Sequence, residues 1–481
     1  MQGKKVFNNF IWRFLERCGS QGVTFVVSII LARILAPEVY GTIALVTVFI
    51  TILQVFVNSG FGTALIQKKD ADQVDFSTMF YFNIFISIVL YAIMFFAAPL
   101  ISALYEREDL TPVIRVLSLI LIIYATRNVQ QAYVSRNMLF KKFFYSTLIG
   151  TIAGAAVGIF LAWRGFGVWA LVGQQMSVAL INSLVLWVTV KWRPQLVFSF
   201  ERLKGLYSFG WKILVSSLIN TIYNDLRTLI IGKMYTSTDL AFYNKGNTFP
   251  SYIVNNINTS IDSVLLPAMA KEQDSIDKVK SMTRRAIKTS TYLIMPLLVG
   301  LGVCAEPIVS LLLTDKWLPI VPFMRIFCFT YCFYPIHTAN LNAIKALGRS
   351  DLFLKLEVWK KVVGLVLLLS SMWFGVMAMA YSLLLSTFAS QIINSWPNKK
   401  LLNYSYLEQL KDLSGNAFLA VVMGAIVYCV SFLGLGNMTT LVIQVFLGVA
   451  IYMAGSIIFK FESFYYVLGI LKSMLKRKKK R

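Results

Sequence analysis

GTIALVTVFITILQVFVNSGFGTALIQ, residues 41–67, runs for 27 residues without one Asp, Glu, Lys or Arg. A helix needs about twenty apolar residues to cross the hydrocarbon of a bilayer, so this stretch reads as a membrane span. Similar runs recur from end to end. Spans are expected at about 10–35, 41–67, 76–104, 111–135, 143–163, 167–190, 207–233, 240–269, 286–313, 318–344, 353–373, 375–396, 415–434 and 438–458. The 481 residues are 57% hydrophobic and 14% charged, whereas a soluble protein carries roughly a quarter charged residues. Near the N-terminus, Arg13, Glu16 and Arg17 interrupt the apolar run and no small-x-small cleavage site follows, so the segment is read as a first span and not as a signal peptide. The fold class is an all-α integral membrane protein with about 14 transmembrane helices.

Charge gives the orientation. The net charge is +24, and it is unevenly spread. Summed over the segments between spans, one side carries +21 and the other −1. Cytoplasmic loops are the ones rich in Lys and Arg, so an even number of spans with both termini inside is expected. In a soluble protein this charge would point to nucleic acid; between spans it is a topology signal, and no nucleic-acid partner is expected. The tail combines an apolar, aromatic stretch with Lys476-Arg477-Lys478-Lys479-Lys480-Arg481. It reads either as an interfacial helix anchored to anionic membrane lipid or as an orientation signal.

The two halves repeat. Arg33 and Lys233 each precede a short turn, an acid (Glu38, Asp239) and a tyrosine (Tyr40, Tyr243); Asn58 and Asn258 keep the offset of 200. Pro112–Arg115 corresponds to Pro322–Arg325 at an offset of 210. Two six-helix bundles of the same topology are parallel repeats, with substrate bound between them. The expected organisation is 1–190 as the first bundle and 191–206 as a cytoplasmic amphipathic linker. Residues 207–397 form the second bundle, 398–458 a linker and two extra helices, and 459–481 the basic tail.

Catalytic motifs are not evident: no Walker A loop, no GxGxxG opening a helix, no Ser/His/Asp set in a soluble region. Cys328, Cys332 and His337 are too few for a closed zinc site. The chain is expected not to be an enzyme and to need no cofactor, with transport driven by an ion gradient (proton or sodium coupling), the membrane potential or the substrate gradient.

GSQGVTFVVSIILARILAPEVYGTIAL (19–45), NSGFGTALIQKKDAD (58–72) and FGWKILVSSLINTIYNDLRTLIIGKMY (209–235) resemble the Wzx-type polysaccharide flippases of the multidrug/oligosaccharidyl-lipid/polysaccharide exporter superfamily. The resemblance covers nearly the whole chain. It implies twelve to fourteen helices in two bundles around a central cavity. It also implies export of an undecaprenyl-diphosphate-linked oligosaccharide across the bacterial inner membrane, with a polysaccharide polymerase and assembly proteins as further partners. The competing functions are a drug/cation antiporter of the same superfamily, a peptidoglycan-precursor flippase, and a membrane-embedded glycan polymerase or glycosyltransferase. The short outer loops count against the last of these.

Ionisable residues inside spans are costly unless they face a cavity or a partner, so they are the site candidates. Arg13, Glu16 and Arg17 share one helix face. They read as a diphosphate clamp, in which the planar guanidinium donates paired hydrogen bonds, or as a snorkelling helix end. Asp225 and Arg227 lie mid-span and point apart. Arg127 and Gln131 sit one turn apart and offer a polar face to sugar or phosphate. Asn255, Thr259 and Asp262 form a stripe suited to sugar hydroxyls or to a coupling cation beside Asp262, or to polar contacts between helices. His337 is a candidate proton carrier or a packing histidine. Arg13, Arg17, Arg127, Asp225, Arg227, Asn255 and Thr259 are therefore the substrate candidates, and Glu16, Asp262 and His337 the coupling candidates.

Overall fold

The structure is a computed structural model that describes residues 2–58, 65, 68 and 70–479, with the side chains of 2–11, 13–18, 209, 470–471 and 473–479 outside that description. Among the described residues every regular element is a helix. Ten helical stretches are long and apolar enough to cross a membrane by length and composition, in addition to the shorter apolar helix Gly19–Ile34. A helix or a pair of helices occupies each of the fourteen expected stretches, although most of the second half of 41–67 lies outside the described residues. The chain forms two compact units, Met1–Ala241 and Phe242–Arg481.

The first unit contains α1 (Gln2–Ile34), α2 (Pro37–Asn58), α3 (Gln73–Leu104), α4 (Leu110–Ser118), α5 (Ile120–Arg136), α6 (Phe140–Trp163), α7 (Val168–Thr189) and α8 (Phe200–Met234). Helices α6 and α7 pack through Gly150, Gly154 and Gly158, spaced four apart on α6. A Cβ on Gly154 would meet Val178 Cγ2 and the Gln174 carbonyl, and one on Gly158 would meet the Gln174 side chain. Lipid offers helices no hydrophobic drive to associate, so close backbone approach through small residues supplies the contact.

The linker expected at 191–206 is non-helical in its first part and continues into α8. Residues 190–199 are non-helical and are tied down by hydrogen bonds, and from Phe200 the chain is already α8. Gln130 Nε2 and Gln73 Nε2 donate to the carbonyls of Trp192 (3.1 Å) and Arg193 (2.6 Å), and Trp192 Nε1 donates to Gln73 Oε1 at 2.7 Å. The backbone N–H groups of Gln195 and Ser199 donate to Ser77 Oγ (3.0 Å) and Thr78 Oγ1 (3.1 Å). An extended strand carries polar groups that its own helix cannot satisfy, and the first turns of α3 supply them. Around it, Phe76, Phe80, Tyr133, Trp187 and Trp192 stack edge-on or tilted.

The second unit contains most of α9 (Ser237–Lys271), then α10 (Ile276–Val303), α11 (Ala305–Leu313), α12 (Ile320–Tyr331), α13 (Tyr334–Ala346) and α14 (Ser350–Ser371). After these come α15 (Val376–Leu401), α16 (Tyr406–Cys429), α17 (Asn437–Ile458) and α18 (Glu462–Lys479). Helix boundaries carry the repeat further than the motifs did. The α1/α2 turn ends at Ile34 and resumes at Pro37; the α8/α9 turn ends at Met234 and resumes at Ser237, an offset of 200. The broken pair α4/α5 has its counterpart in α12/α13, and α6 in α14, which starts 210 residues later. Pro335 sits in the first turn of α13, at the break within the 318–344 stretch, where its missing N–H has no partner to lose.

The last two long helices dock on α10. Asn416 Nδ2 donates to the Lys288 carbonyl (2.9 Å) and Thr291 Oγ1 (3.0 Å), and Tyr452 OH donates to the Tyr292 carbonyl (2.9 Å). Gly424 faces Val299, and Gly455 faces Leu419, too closely for a side chain at either position.

The glycine seam gives a test. Gly154→Val forces α6 and α7 apart against a backbone carbonyl as well as a stiff β-branched side chain. Overpacking of this kind costs about 1–3 kcal/mol, so the melting temperature in detergent should fall by several degrees. Gly22→Val, where a Cβ would meet nothing, should leave it unchanged. Equal melting of the two variants would show that the seam is loose.

Candidate functional site

One polar cluster in the first unit lies at the charge-poor end of the helices. The Arg107 guanidinium donates to both oxygens of Asp109, to Thr42 Oγ1 at 2.8 Å and to Ser237 Oγ. It thereby joins the start of α2, the α3/α4 turn and the start of α9. Beside it, Lys233 Nζ reaches Glu106 Oε1 at 2.8 Å, which holds the Glu106 carboxyl below the usual carboxylate range. Tyr105 OH donates to the Leu229 carbonyl at 3.3 Å. Gly41, in the turn quoted for the family resemblance, abuts the Ser237 backbone so closely that no Cβ fits.

A second cluster lies at the cation-rich end of the same unit. Asp75 is fully buried, and Lys68 Nζ reaches both its oxygens at 2.7 Å. Asp72 and Asp75 cap α3 reciprocally, and Arg202 of α8 approaches both. The Asp72 carboxyl is held below its usual range, chiefly by the backbone N–H of Asp75. Burying a carboxylate is costly unless it is paired and hydrogen-bonded in this way.

The candidates from the sequence distribute unevenly. Arg13, Glu16 and Arg17 lie in α1, but their side chains are outside the described residues. Arg127 is half-buried and its guanidinium lies 4.3 Å from the centre of the Tyr124 ring. Its neighbours are used structurally: Asn128 donates to the Val57 carbonyl (2.5 Å) and Gln130 to Trp192. Asp225 and Arg227 are both half-buried on α8, and no described residue forms an ion pair with Asp225. Among the described residues Arg127 and Asp225 form no ion pair with each other.

In the second unit the stripe is present and uncovered. Asn255, Thr259 and Asp262 are all exposed on α9, and the Thr259 hydroxyl donates back to the Asn255 carbonyl at 2.6 Å. Asn342 of α13 donates to Asp262 Oδ1 at 2.7 Å. Asn258, one turn before Asp262, is buried with neither side-chain polar atom partnered, and Asn342 Oδ1 is likewise buried without a partner. Three oxygen-bearing groups thus lie on or against one short stretch of α9: a carboxylate and two amides. Such a donor set suits a hard monovalent or divalent cation, or the hydroxyls of a sugar.

His337 is packed between helices. Its Nδ1 lies 2.9 Å from Asn394 Nδ2, and the Tyr334 ring is 6.0 Å away. With the amide as donor, Nδ1 accepts and the ring proton sits on Nε2. Next to it runs a buried amide network that the sequence reading did not single out. Asn340 Nδ2 donates to Ser395 Oγ (3.0 Å) and Gln409 Oε1 (2.8 Å), and Asn398 Nδ2 donates to Asn340 Oδ1 at 2.7 Å. Gln391, Asn394 and Asn398 were visible as a polar stripe at i, i+3 and i+7 on an otherwise apolar helix.

With this geometry in place, the relatives are informative. A family model described as polysaccharide biosynthesis protein matches residues 30–322. The chain belongs to this family. It is 25% identical over 317 residues to the succinoglycan biosynthesis transport protein ExoT of Rhizobium meliloti, covering 66% of this chain and 64% of that one. It is 27% identical over 306 residues to the teichuronic acid biosynthesis protein TuaB of Bacillus subtilis, covering 62% of each. The matched stretches thus span less than two thirds of these two relatives. The lipopolysaccharide biosynthesis protein WzxC of Escherichia coli is 24% identical over 423 residues, 86% of this chain and 83% of that one. Among solved structures, the lipid II flippase MurJ superposes with a TM-score of 0.76 at 13% identity, over 94% of this chain and 98% of that one. An inward-facing multidrug resistance transporter of the MATE family gives 0.62 at 17% identity, over 80% and 94%. At these identities the likeness is one of fold. This family member is a multi-pass inner-membrane protein of that fold.

The charge-poor cluster separates two kinds of ion pair. Arg107→Ala removes charge-assisted bonds that tie three elements, each worth about 1.5–3 kcal/mol, and should lower thermal stability in detergent clearly. Glu106→Gln removes an exposed pair, worth about 0–1 kcal/mol, and should melt with the parent protein. A larger loss in Glu106→Gln would reverse the assignment.

Proposed function

We propose that this chain flips an undecaprenyl-diphosphate-linked oligosaccharide across the bacterial inner membrane, by alternating access, for the synthesis of a surface polysaccharide such as O-antigen, capsule or exopolysaccharide. The family match over residues 30–322 carries the reading. The names of the three relatives given above concern glycan synthesis, and one names transport. The fold it shares with a lipid II flippase supports a lipid-linked substrate. In this reading the protein is a transporter and not an enzyme, has both termini in the cytoplasm, and hands its product to a polymerase and assembly proteins outside.

The substrate has two recognisable chemistries. The diphosphate needs cations in a low-dielectric setting, and Arg13, Arg17, Arg127 and Arg227 are the intramembrane cations assigned to it. The sugar needs donors and acceptors without net charge, and the uncovered stripe of Asn255 and Thr259 offers these. Glu16 keeps the arginines of its own helix face from repelling one another, and Asp225 is a further substrate contact. Asp262, with Asn258 and Asn342, is the coupling site in this reading; it takes sodium, or the carboxylate takes a proton, and His337 serves the proton alternative.

Deletion of the gene should accumulate undecaprenyl-linked repeat unit and remove the surface glycan. Arg13→Ala, Arg17→Ala and Arg227→Ala should each fail to restore it at normal protein level, since a lost charge-assisted phosphate contact costs about 1.5–3 kcal/mol, roughly ten- to a hundredfold in binding. Unchanged lipid-linked intermediates in the deletion would end the flippase reading, whereas full activity of all three variants would end only the clamp.

Coupling is tested separately. Asp262→Asn removes the carboxylate and keeps the hydrogen bond to Asn342. Transport into vesicles should lose its dependence on a sodium or proton gradient in this variant. A gradient dependence equal to that of the parent protein would exclude Asp262 as the coupling group.

A further inference from the structure

At the cation-rich end of the second unit, α10, α16 and α18 enclose two adjoining cavities of about 290 and 540 Å³. Arg284, Lys288, Glu462 and Ser463 line both. Arg285 and Tyr466 line the smaller, and Lys280 and Lys411 the larger. We propose that this groove binds the headgroup phosphate of an anionic phospholipid in the cytoplasmic leaflet. The inference does not depend on what the protein transports.

The charge balance comes first. The groove holds three acids, and each is already engaged. Asp412 is buried and takes Arg284 at 2.6 Å, Lys288 at 3.6 Å and the Tyr404 hydroxyl at 2.8 Å. Glu408 accepts from the Ser405 backbone N–H at 2.7 Å as the capping box of α16. Glu462 lies 3.6 Å from Lys288. Among the described residues no carboxylate pairs with Arg285, Lys280 or Lys411. Arg285 rests on the Tyr466 ring at 5.4 Å, which fixes its position and leaves its N–H groups unspent. The groove therefore carries an uncompensated positive charge in a concave site. The first turn of α18 opens onto it; the N–H groups of Phe464 and Tyr465 donate to the Phe461 carbonyl, and those of Glu462 and Ser463 precede any carbonyl of the helix that could accept them.

The level of the groove in the membrane identifies the anion as a lipid. On α10 the last charged residue is Lys288, and 289–303 carry none; on α16 it is Asp412, and 413–429 carry none. The cavities thus sit at the polar boundary of two apolar segments, where headgroup phosphates lie. Just beyond that boundary, Leu293 and Leu297 of α10 and Phe418 of α16 are exposed apolar side chains available to acyl chains. A soluble anion would gain nothing from them.

The test uses full-length protein stripped of lipid, with phosphatidylglycerol and phosphatidylcholine as probes and native mass spectrometry as the readout. The parent protein should retain phosphatidylglycerol over phosphatidylcholine. Arg285→Gln with Lys411→Gln removes two cations that hold no ion pair, and should cut that preference by roughly tenfold or more. Arg285→Lys with Lys411→Arg should keep most of it, and the melting temperature without lipid should match the parent in both, which separates lipid loss from misfolding. A variant with residues 476–481 neutralised should retain phosphatidylglycerol like the parent. Retention unchanged in the double glutamine variant, or lost only on neutralising the tail, would overturn the proposal. So would displacement by glycerol phosphate alone, which would make the site one for a soluble anion.

Discussion

A backbone or side-chain polar group left without a partner in hydrocarbon costs several kcal/mol, and this one constraint shapes both units. It requires the chain to be helical wherever it crosses lipid. It also explains the non-helical exception at residues 190–199, which is held by Gln73, Ser77, Thr78 and Gln130 from neighbouring helices. The same cost governs the charged residues. Asp75 and Asp412 are buried and each has more than one cationic or hydroxyl partner. The exposed pair of Glu106 and Lys233 is under no such obligation.

The architecture was legible because hydropathy and charge act over long windows. A run such as 41–67 has no soluble alternative, and the alternation of basic and neutral turns constrains many helices at once. The repeat was legible for a related reason: a turn of fixed length between α1 and α2 imposes the same small set of residues on the turn between α8 and α9. Gly41 is not part of that shared set, since position 241 is Ala; its missing Cβ answers instead to the Ser237 backbone, which occupies the space. What the sequence did not disclose is side-chain pairing across helices. Asn342 is unremarkable in ANLNA, and only the fold sets it against Asp262, 80 residues earlier. Asn128 and Gln130 stand beside Arg127 in the sequence, yet they serve the backbone of Val57 and Trp192. A sequence stripe gives direction around one helix; it says nothing of whether the neighbour offers a carbonyl, a carboxylate or a side chain.

The duplication makes that difference chemically meaningful. The two halves share helix boundaries at offsets of 200 and 210, but not their use of polar residues. In the first unit Asn128 and Gln130 donate to backbone carbonyls, although Gln130 Oε1 is itself buried without a partner among the described residues. In the second, Asn258, Asn342, Gln391, Asn394 and Asn398 are buried with at least one polar atom unpartnered among the described residues. Each such atom costs about 1–3 kcal/mol. Among the described residues, more of the unpartnered buried amide atoms lie in the second half, chiefly around α9, α13 and α15. The unspent positive charge of that half lies elsewhere, at the mouths of α10 and α16. Neutral polar capacity within the apolar zone and cationic capacity at its edge are separate resources. The first can recognise a guest that enters the membrane; the second can hold the protein at a fixed level in a charged leaflet.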